Sequence, residues 1–405
     1  MCSLSKNDMK FAIITDGFNG SSSSLVEAML KGGYDVDFYN ILYTSQNVHE
    51  LESYSIGDTS RKVGVTQIKV FDKEGLCRFE KFKDKLNFYV VRCLGLPNGK
   101  RFLDKVKQTI SKIVQHYLLR KLIYNSYDFV NVVGQTPFSF SLSIYLKKKG
   151  VNVVHSVHEV LENHLNGIEL NEGVCKIIEE NVKVNVFSKK SAEDLLMASH
   201  LKKNDFTVIP FGLFTGYCEY SDVEIKEIKD VDNYILYYGY IHPYKGLDVL
   251  YDAVIQMSQN NTKVVVAGKG TDPVMDRMKK DERFIVLNRW IGNAELVTLI
   301  KKCRFVVCPY KSASQSGIPQ TVFNFDKPIV ATDIDSFQEI IITGVNGAIV
   351  ERGNPLSLRC AIEKMYEDNG EYERCVFNIK KYRETESEEN WLHISQKYVD
   401  AYSLK

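Results

Sequence analysis

The chain has 405 residues, 44% apolar and 25% charged, which excludes a disordered or fibrous chain and supplies material for two cores. Lys and Arg total 52 against 51 for Asp and Glu, so net charge marks no nucleic-acid or membrane partner, and any such preference has to come from local clustering. The nine cysteines are scattered without a CxxC pair, which argues against a disulfide framework or a zinc cluster and for reduced thiols in a cytoplasmic protein.

The start of the chain shows no basic segment followed by an apolar core and a small-residue cleavage site. No apolar run approaches the ~18–20 residues needed to span a bilayer. The first elements read strand, loop, helix. Lys10–Ile14 is a short apolar strand, Asp16–Ser24 is turn chemistry, and Leu25, Met29 and Leu30 fall at helical spacing before Gly32-Gly33. Further strands fit Asp35–Tyr39, Phe129–Val133, Asn152–His155, Val182–Phe187 and Thr207–Pro210. Residues 214–230 are polar and weakly patterned, as expected of a linker. The rhythm then repeats, with strands at Tyr234–Tyr238, Lys263–Ala267, Phe284–Leu287, Phe305–Cys308 and Pro328–Ala331 and helices at Gly246–Met257 and Ala294–Lys302. Short apolar strands alternating with helices predict an α/β chain of two doubly wound parallel sheets.

A basic stretch interrupts the first half. Between Arg78 and Lys121 stand twelve Lys or Arg and three acids, a net +9, interleaved with aromatic and aliphatic residues. It reads either as a solvated helical face with a core stripe or as an amphipathic surface for anionic lipid headgroups.

Two loops carry the chemistry. In the first, Tyr238-Gly239-Tyr240-Ile241-His242-Pro243-Tyr244-Lys245-Gly246, a strand ends in glycine and Lys-Gly opens a helix, which places an ammonium where a phosphate can sit. In the second, Cys308-Pro309-Tyr310-Lys311-Ser312-Ala313-Ser314-Gln315-Ser316-Gly317-Ile318, small residues leave backbone N–H groups and hydroxyls to face an anion. In the first half, His155-Ser156-Val157-His158-Glu159 sets two imidazoles and an acid at the end of a strand. Asp-x-Asp occurs at Asp35, Asp230 and Asp333; three matches in one chain make it a cheap pattern, and no metal is expected.

From about residue 234 to 365, the run GYIHPYKGLDVL, VVVAGKG and FVVCPYKSASQSGIPQTVFNFDKPIVATDIDSFQEIIITGVNGAIV resembles the donor-binding domain of the retaining GT-B glycosyltransferases of group 1, family 4. The first half resembles that family more loosely. The resemblance implies two Rossmann-like domains facing each other across a cleft. It places an acceptor-binding domain at 1–215, a linker at 216–230, a nucleotide-sugar domain at 231–385, and a terminal helix at 386–405 crossing back to the first domain.

By the same resemblance Lys245 matches the family lysine, while Tyr240 stands where an arginine is usual and His242 is the nearby cationic substitute. The donor diphosphate is then expected at Gly17, Tyr240, His242, Lys245, Ser316, Gly317 and Ile318. The donor sugar and ribose fall at Gln315, Thr321 and Glu339. The family's two glutamates are replaced by Ala313 and Thr321. His158 is expected near the reacting carbon, with Lys245 as its catalytic partner at the phosphate. Asn19, Gly20 and Glu159 are expected on the acceptor side. The implied activity is metal-independent, cofactor-free transfer, with retention, from a nucleotide sugar (UDP or GDP) to a glycan or lipid-linked acceptor in surface polysaccharide or glycolipid synthesis, cytoplasmic or peripheral at the inner face of a membrane. The alternative is a catalytically silent protein of the same fold acting as a sugar-nucleotide binding module or partner subunit.

Overall fold

In the computed structural model the described residues are 9–17, 19–43, 63–94, 102–162, 169–258, 262–313, 315–385 and 390–403. The chain divides into two compact units, Met1–Gly212 with Glu388–Lys405, and Leu213–Ser387.

The first unit runs β1 (Lys10–Asp16), α1 (Asn19–Lys31), β2 (Asp35–Tyr43), β3 (Gly64–Ile68), β4 (Leu86–Cys93), α2 (Phe102–Tyr124), β5 (Phe129–Gly134), α3 (Pro137–Lys148), β6 (Val153–Val157), α4 (Glu172–Glu179), β7 (Lys183–Val186), α5 (Lys189–Ala198) and β8 (Phe206–Val208). Its sheet has the order β3-β4-β2-β1-β5-β6-β7-β8, parallel except for β3. The strands are buried on both faces because crossover helices cover them, which is why they read as unbroken apolar runs.

The second unit runs β9 (Tyr234–Tyr238), α6 (Leu247–Val254), β10 (Val264–Ala267), α7 (Met275–Met278), β11 (Phe284–Leu287), α8 (Asn293–Lys302), β12 (Cys303–Cys308), α9 (Ile318–Val322), β13 (Ile329–Thr332), α10 (Asp335–Gln338), β14 (Gly347–Val350), α11 (Pro355–Glu367) and α12 (Asn369–Thr385). Its six strands lie parallel in the order β11-β10-β9-β12-β13-β14. In both units the strand order reverses next to the first strand, between β1 and β5 and between β9 and β12. Ligands of doubly wound sheets bind beyond the carboxyl ends of the strands at such points.

The final helix, α13 (Trp391–Tyr402), completes the first unit. The Tyr398 hydroxyl takes a hydrogen bond from Asn185 Nδ2 at 3.0 Å, and Tyr402 O–H lies 3.3 Å from the Val184 carbonyl. Residues 216–230 are short 3-10 turns of the second unit, where Ile225 and Ile228 enter its core.

Two local expectations are corrected. The segment from Gly17 to Ser24 is not a loop: α1 begins at Asn19, Ser23 and Ser24 donate back to the Gly20 carbonyl at 3.3 and 2.9 Å, and Ser21, Ser22 and Ser24 are buried. The Ser23 and Ser24 hydroxyls are therefore engaged within the helix itself. The basic stretch is not one surface either. It spans a 3-10 turn (Cys77–Phe82), the buried strand β4 and helix α2, so most of its interleaved apolar residues before α2 belong to the core.

Candidate active site

The second unit builds one polar corner at the switch point of its sheet. β9 runs into Gly239 (φ 127°), and the chain continues past the strand end with Ile241 paired to Gly270. A Cβ at Gly270 would lie 2.0 Å from the Ile241 carbonyl oxygen, and one at Gly268 would lie 1.8 Å from that of Gly239. The Gly-Lys-Gly run is therefore a demand of close backbone approach. Tyr240 is 61% exposed and His242 is exposed, its Nδ1 capping the turn Pro243–Lys245 from the Tyr244 amide.

Gly246 follows in the left-handed region (φ 71°), and a Cβ there would lie 1.9 Å from the Pro309 carbonyl oxygen. That contact joins the loop after β9 to the loop after β12. So do the hydrogen bond from Lys311 N to the Tyr244 carbonyl at 2.8 Å and the ion pair of Lys311 with Asp248 at 2.6 Å. The Lys245 ammonium sits 3.7 Å from the ring centroid of buried Tyr310 and 4.9 Å from that of Tyr244. Two ring faces hold the cation at the corner.

Ser316, Gly317 and Ile318 lead into α9. Ile318 N–H donates to Ser316 Oγ at 3.4 Å, and Thr321 O–H donates to the Gly317 carbonyl at 3.0 Å, with Thr321 buried. Gln315 and Ala313 are half-buried on the same loop; Ser314 lies outside the described residues. Glu339 is exposed and ends α10 at its carboxyl side.

In the first unit, β1 ends at Asp16, and Gly17 turns the chain at φ 91° with open space around it. Asn19 and Gly20 are the first residues of α1. His158 stands just past β6, with its ring 4.6 Å from Phe187 and 5.3 Å from Phe211. Burial first, and His155 second, push its pKa down to about 3, so the imidazole is neutral. Gln135 fastens this turn: it accepts from His158 N at 3.1 Å and donates to the carbonyl of exposed Glu159 at 2.9 Å. His155 is fully internal. Its Nε2–H donates to the Gly134 carbonyl at 2.9 Å, which leaves Nδ1 to accept from Ser143 at 2.8 Å.

Sequence reasoning missed two groups. Asp16 lies at the switch point of the first sheet, hydrogen-bonded by the Thr136 hydroxyl, and burial raises its carboxyl to about 6. Its only sequence signal is an acid ending an apolar strand. Tyr310, the seat of the Lys245 ammonium, is signalled only by following the apolar strand β12. Each Asp-x-Asp has ordinary partners: Asp37 pairs with Lys10, Asp232 with Lys302 and Asp333 with Arg352. Among the described residues no three His, Cys, Asp or Glu side chains cluster as metal ligands.

Comparison with known proteins bears on the second unit first. Residues 232–368, which hold both loops of this corner, match the model of the glycosyl transferases group 1 family. That segment is a group 1 glycosyltransferase domain. Across 282 residues it is 29% identical to an uncharacterised glycosyltransferase of Methanocaldococcus jannaschii, covering 58% of this chain and 76% of that one. Across 126 residues it is 26% identical to a GDP-mannose:glycolipid 4-beta-D-mannosyltransferase of Xanthomonas campestris, covering 30% of this chain and 34% of that one. The crystal structure of Anabaena HepE in complex with UDP and glucose shares the fold at a TM-score of 0.63 and 14% identity, over 97% of this chain and 98% of HepE. Both units are thus the Rossmann-like halves of a GT-B fold.

Proposed function

We propose that the enzyme transfers a sugar from a nucleoside-diphosphate sugar to a glycan or lipid-linked acceptor, with retention and without a metal, in surface polysaccharide or glycolipid synthesis at the cytoplasmic face of a membrane. The observation that carries this reading is the position of Lys245. Its ammonium is held on Tyr310 at the point where the strand order of the second sheet reverses, between two loops joined at Gly246. A diphosphate there meets a fixed cation, and the Ile318 amide can exchange its long bond to Ser316 for a shorter, charge-assisted one. Negative charge grows on the leaving diphosphate in the transition state, so a preplaced cation lowers the barrier by electrostatics. No metal is needed for that role.

The proteins compared above include a GDP-mannose-dependent transferase and a UDP complex, which favours UDP or GDP as the carrier here. Gly17, Tyr240 and His242 complete the diphosphate side of the proposal, and Gln315, Thr321 and Glu339 the sugar and ribose side. Asn19, Gly20 and Glu159 are assigned to the acceptor. Burial leaves His158 neutral and a weak base, so its part is a hydrogen bond to the sugar rather than proton transfer.

The test is release of nucleoside diphosphate from UDP- and GDP-sugars with a panel of glycan acceptors, with EDTA present. Turnover is expected to survive the chelator. His158→Phe keeps the ring stack and removes the nitrogens, and is expected to lower kcat by about 10- to 100-fold while leaving donor affinity nearly unchanged. Donor binding without turnover over the whole panel contradicts the proposal, as does a rate abolished by EDTA.

A further inference from the structure

Helix α2 has two apolar faces. The inner one packs on β4 through Leu118 and Leu122, with the Ser111 hydroxyl accepting from Leu94 N at 2.7 Å. The outer one runs along the whole helix as Leu103, Val106, Ile110, Ile113, Tyr117 and Tyr124. The first five repeat every three or four residues and Tyr124 follows two turns after Tyr117, so they form one seam. All are exposed, from 42% at Val106 and 43% at Ile110 to 72% at Ile113 and 81% at Tyr124. Single exposed apolar residues are ordinary; a continuous row is not.

The charge of the helix is as one-sided as its apolar face. It carries five Lys or Arg and a single acid, Asp104, and Lys105, Lys107 and Arg120 are exposed. No helix among the described residues is long and apolar enough to cross a membrane, and these charges are why α2 is not.

We infer that α2 docks the enzyme on an anionic lipid bilayer, lying in the interface plane with its outer seam in the acyl boundary and Lys105, Lys107 and Arg120 at the headgroups. Apolar side chains supply area, cations supply attraction to anionic lipid, and the tyrosines suit the boundary between them. The charge pattern selects this occupant. A second copy would set one basic helix against another with one acid on each to offset the repulsion. The docking surface is α2 alone: Lys81 in the 3-10 turn and Lys83 at its end lie outside it, and Lys83 already pairs with Glu80.

The test is co-sedimentation of the full chain with vesicles of phosphatidylglycerol and phosphatidylcholine at about 0.1 M salt. Wild type is expected in the pellet, and in the supernatant with pure phosphatidylcholine. Leu103→Asp with Ile113→Asp is expected to lower binding by about tenfold or more. Lys105→Gln with Lys107→Gln and Arg120→Gln should also lower it and flatten its salt dependence. Lys81→Gln with Lys83→Gln should bind as wild type. The seam positions are exposed, so the fold should survive, and unchanged nucleotide affinity checks this. Ile113→Trp fluorescence should be quenched by brominated lipid.

Wild type remaining in the supernatant with anionic vesicles overturns the inference, as does equal binding by the Leu103/Ile113 pair. A wild-type dimer in sedimentation equilibrium that the same pair dissolves overturns it in favour of a second copy. Vesicle binding needs no turnover, so its failure is distinct from failure of the proposed transfer reaction.

Discussion

Burial moves Asp16 and the two buried histidines in opposite senses, and their consequences for stability are opposite. Asp16 has its pKa raised from 3.8 to about 6, so its contribution is present below pH 4 and lost as pH rises through about 6. At neutral pH the ionised carboxylate costs about 3 kcal/mol relative to the neutral acid. Asp16→Asn keeps an acceptor for the Thr136 hydroxyl and removes the charge. It is expected to raise the melting temperature at pH 8 by several degrees and to give no gain at pH 4; scanning calorimetry at the two values checks this. An equal gain at both would mean that charge burial is not the cause. His155 and His158 have pKa values lowered to about 4 and about 3, so their contribution is present above pH 6.5 and lost as pH falls toward those values. The positions of Lys245 and His158 just past strand ends were legible in the sequence, because each lies in a patterned loop after an apolar run. Asp16 was not, because its burial and its Thr136 hydrogen bond, from a residue 120 positions away, are made only by the fold.

At the scale of the element, the loop after β9 is shaped by glycines and by one aromatic ring. Gly246→Ala would need both a left-handed alanine and a shift of the Pro309 carbonyl. It is expected to destabilise the second unit by about 1–3 kcal/mol and to weaken nucleotide binding with it. Tyr310→Phe keeps the ring under Lys245 and should bind nucleotide as wild type. Tyr310→Leu should weaken it by about 1–2 kcal/mol. Titration calorimetry separates the two, and equal affinities would show that the ring does not position the lysine. The strands were legible because buried parallel strands read as short apolar runs. The start of α1 was not, because Gly-Ser-Ser-Ser-Ser has turn composition and becomes helical only where serines bond back to Gly20 and bury against the sheet. The outer seam of α2 was hidden for a related reason: sequence shows the basic apolar pattern from Arg78 to Lys121, but not that β4 is taken by the core while α2 leaves a face exposed.

At the scale of the molecule, each doubly wound sheet has its own switch point, and the sequence motifs fall beside both. The group 1 family match over residues 232–368 covers the second of these switch points. The central claim is that the corner between β9 and β12 holds a nucleoside diphosphate through Lys245. Titration calorimetry of the full chain with UDP and GDP, wild type against Lys245→Ala, tests it most directly. The account predicts that one of the two nucleotides binds and that the substitution weakens it by about 1.5–3 kcal/mol, the range for a hydrogen bond to a charged group. Unchanged affinity in Lys245→Ala would contradict it and leave Lys245 an ordinary surface lysine.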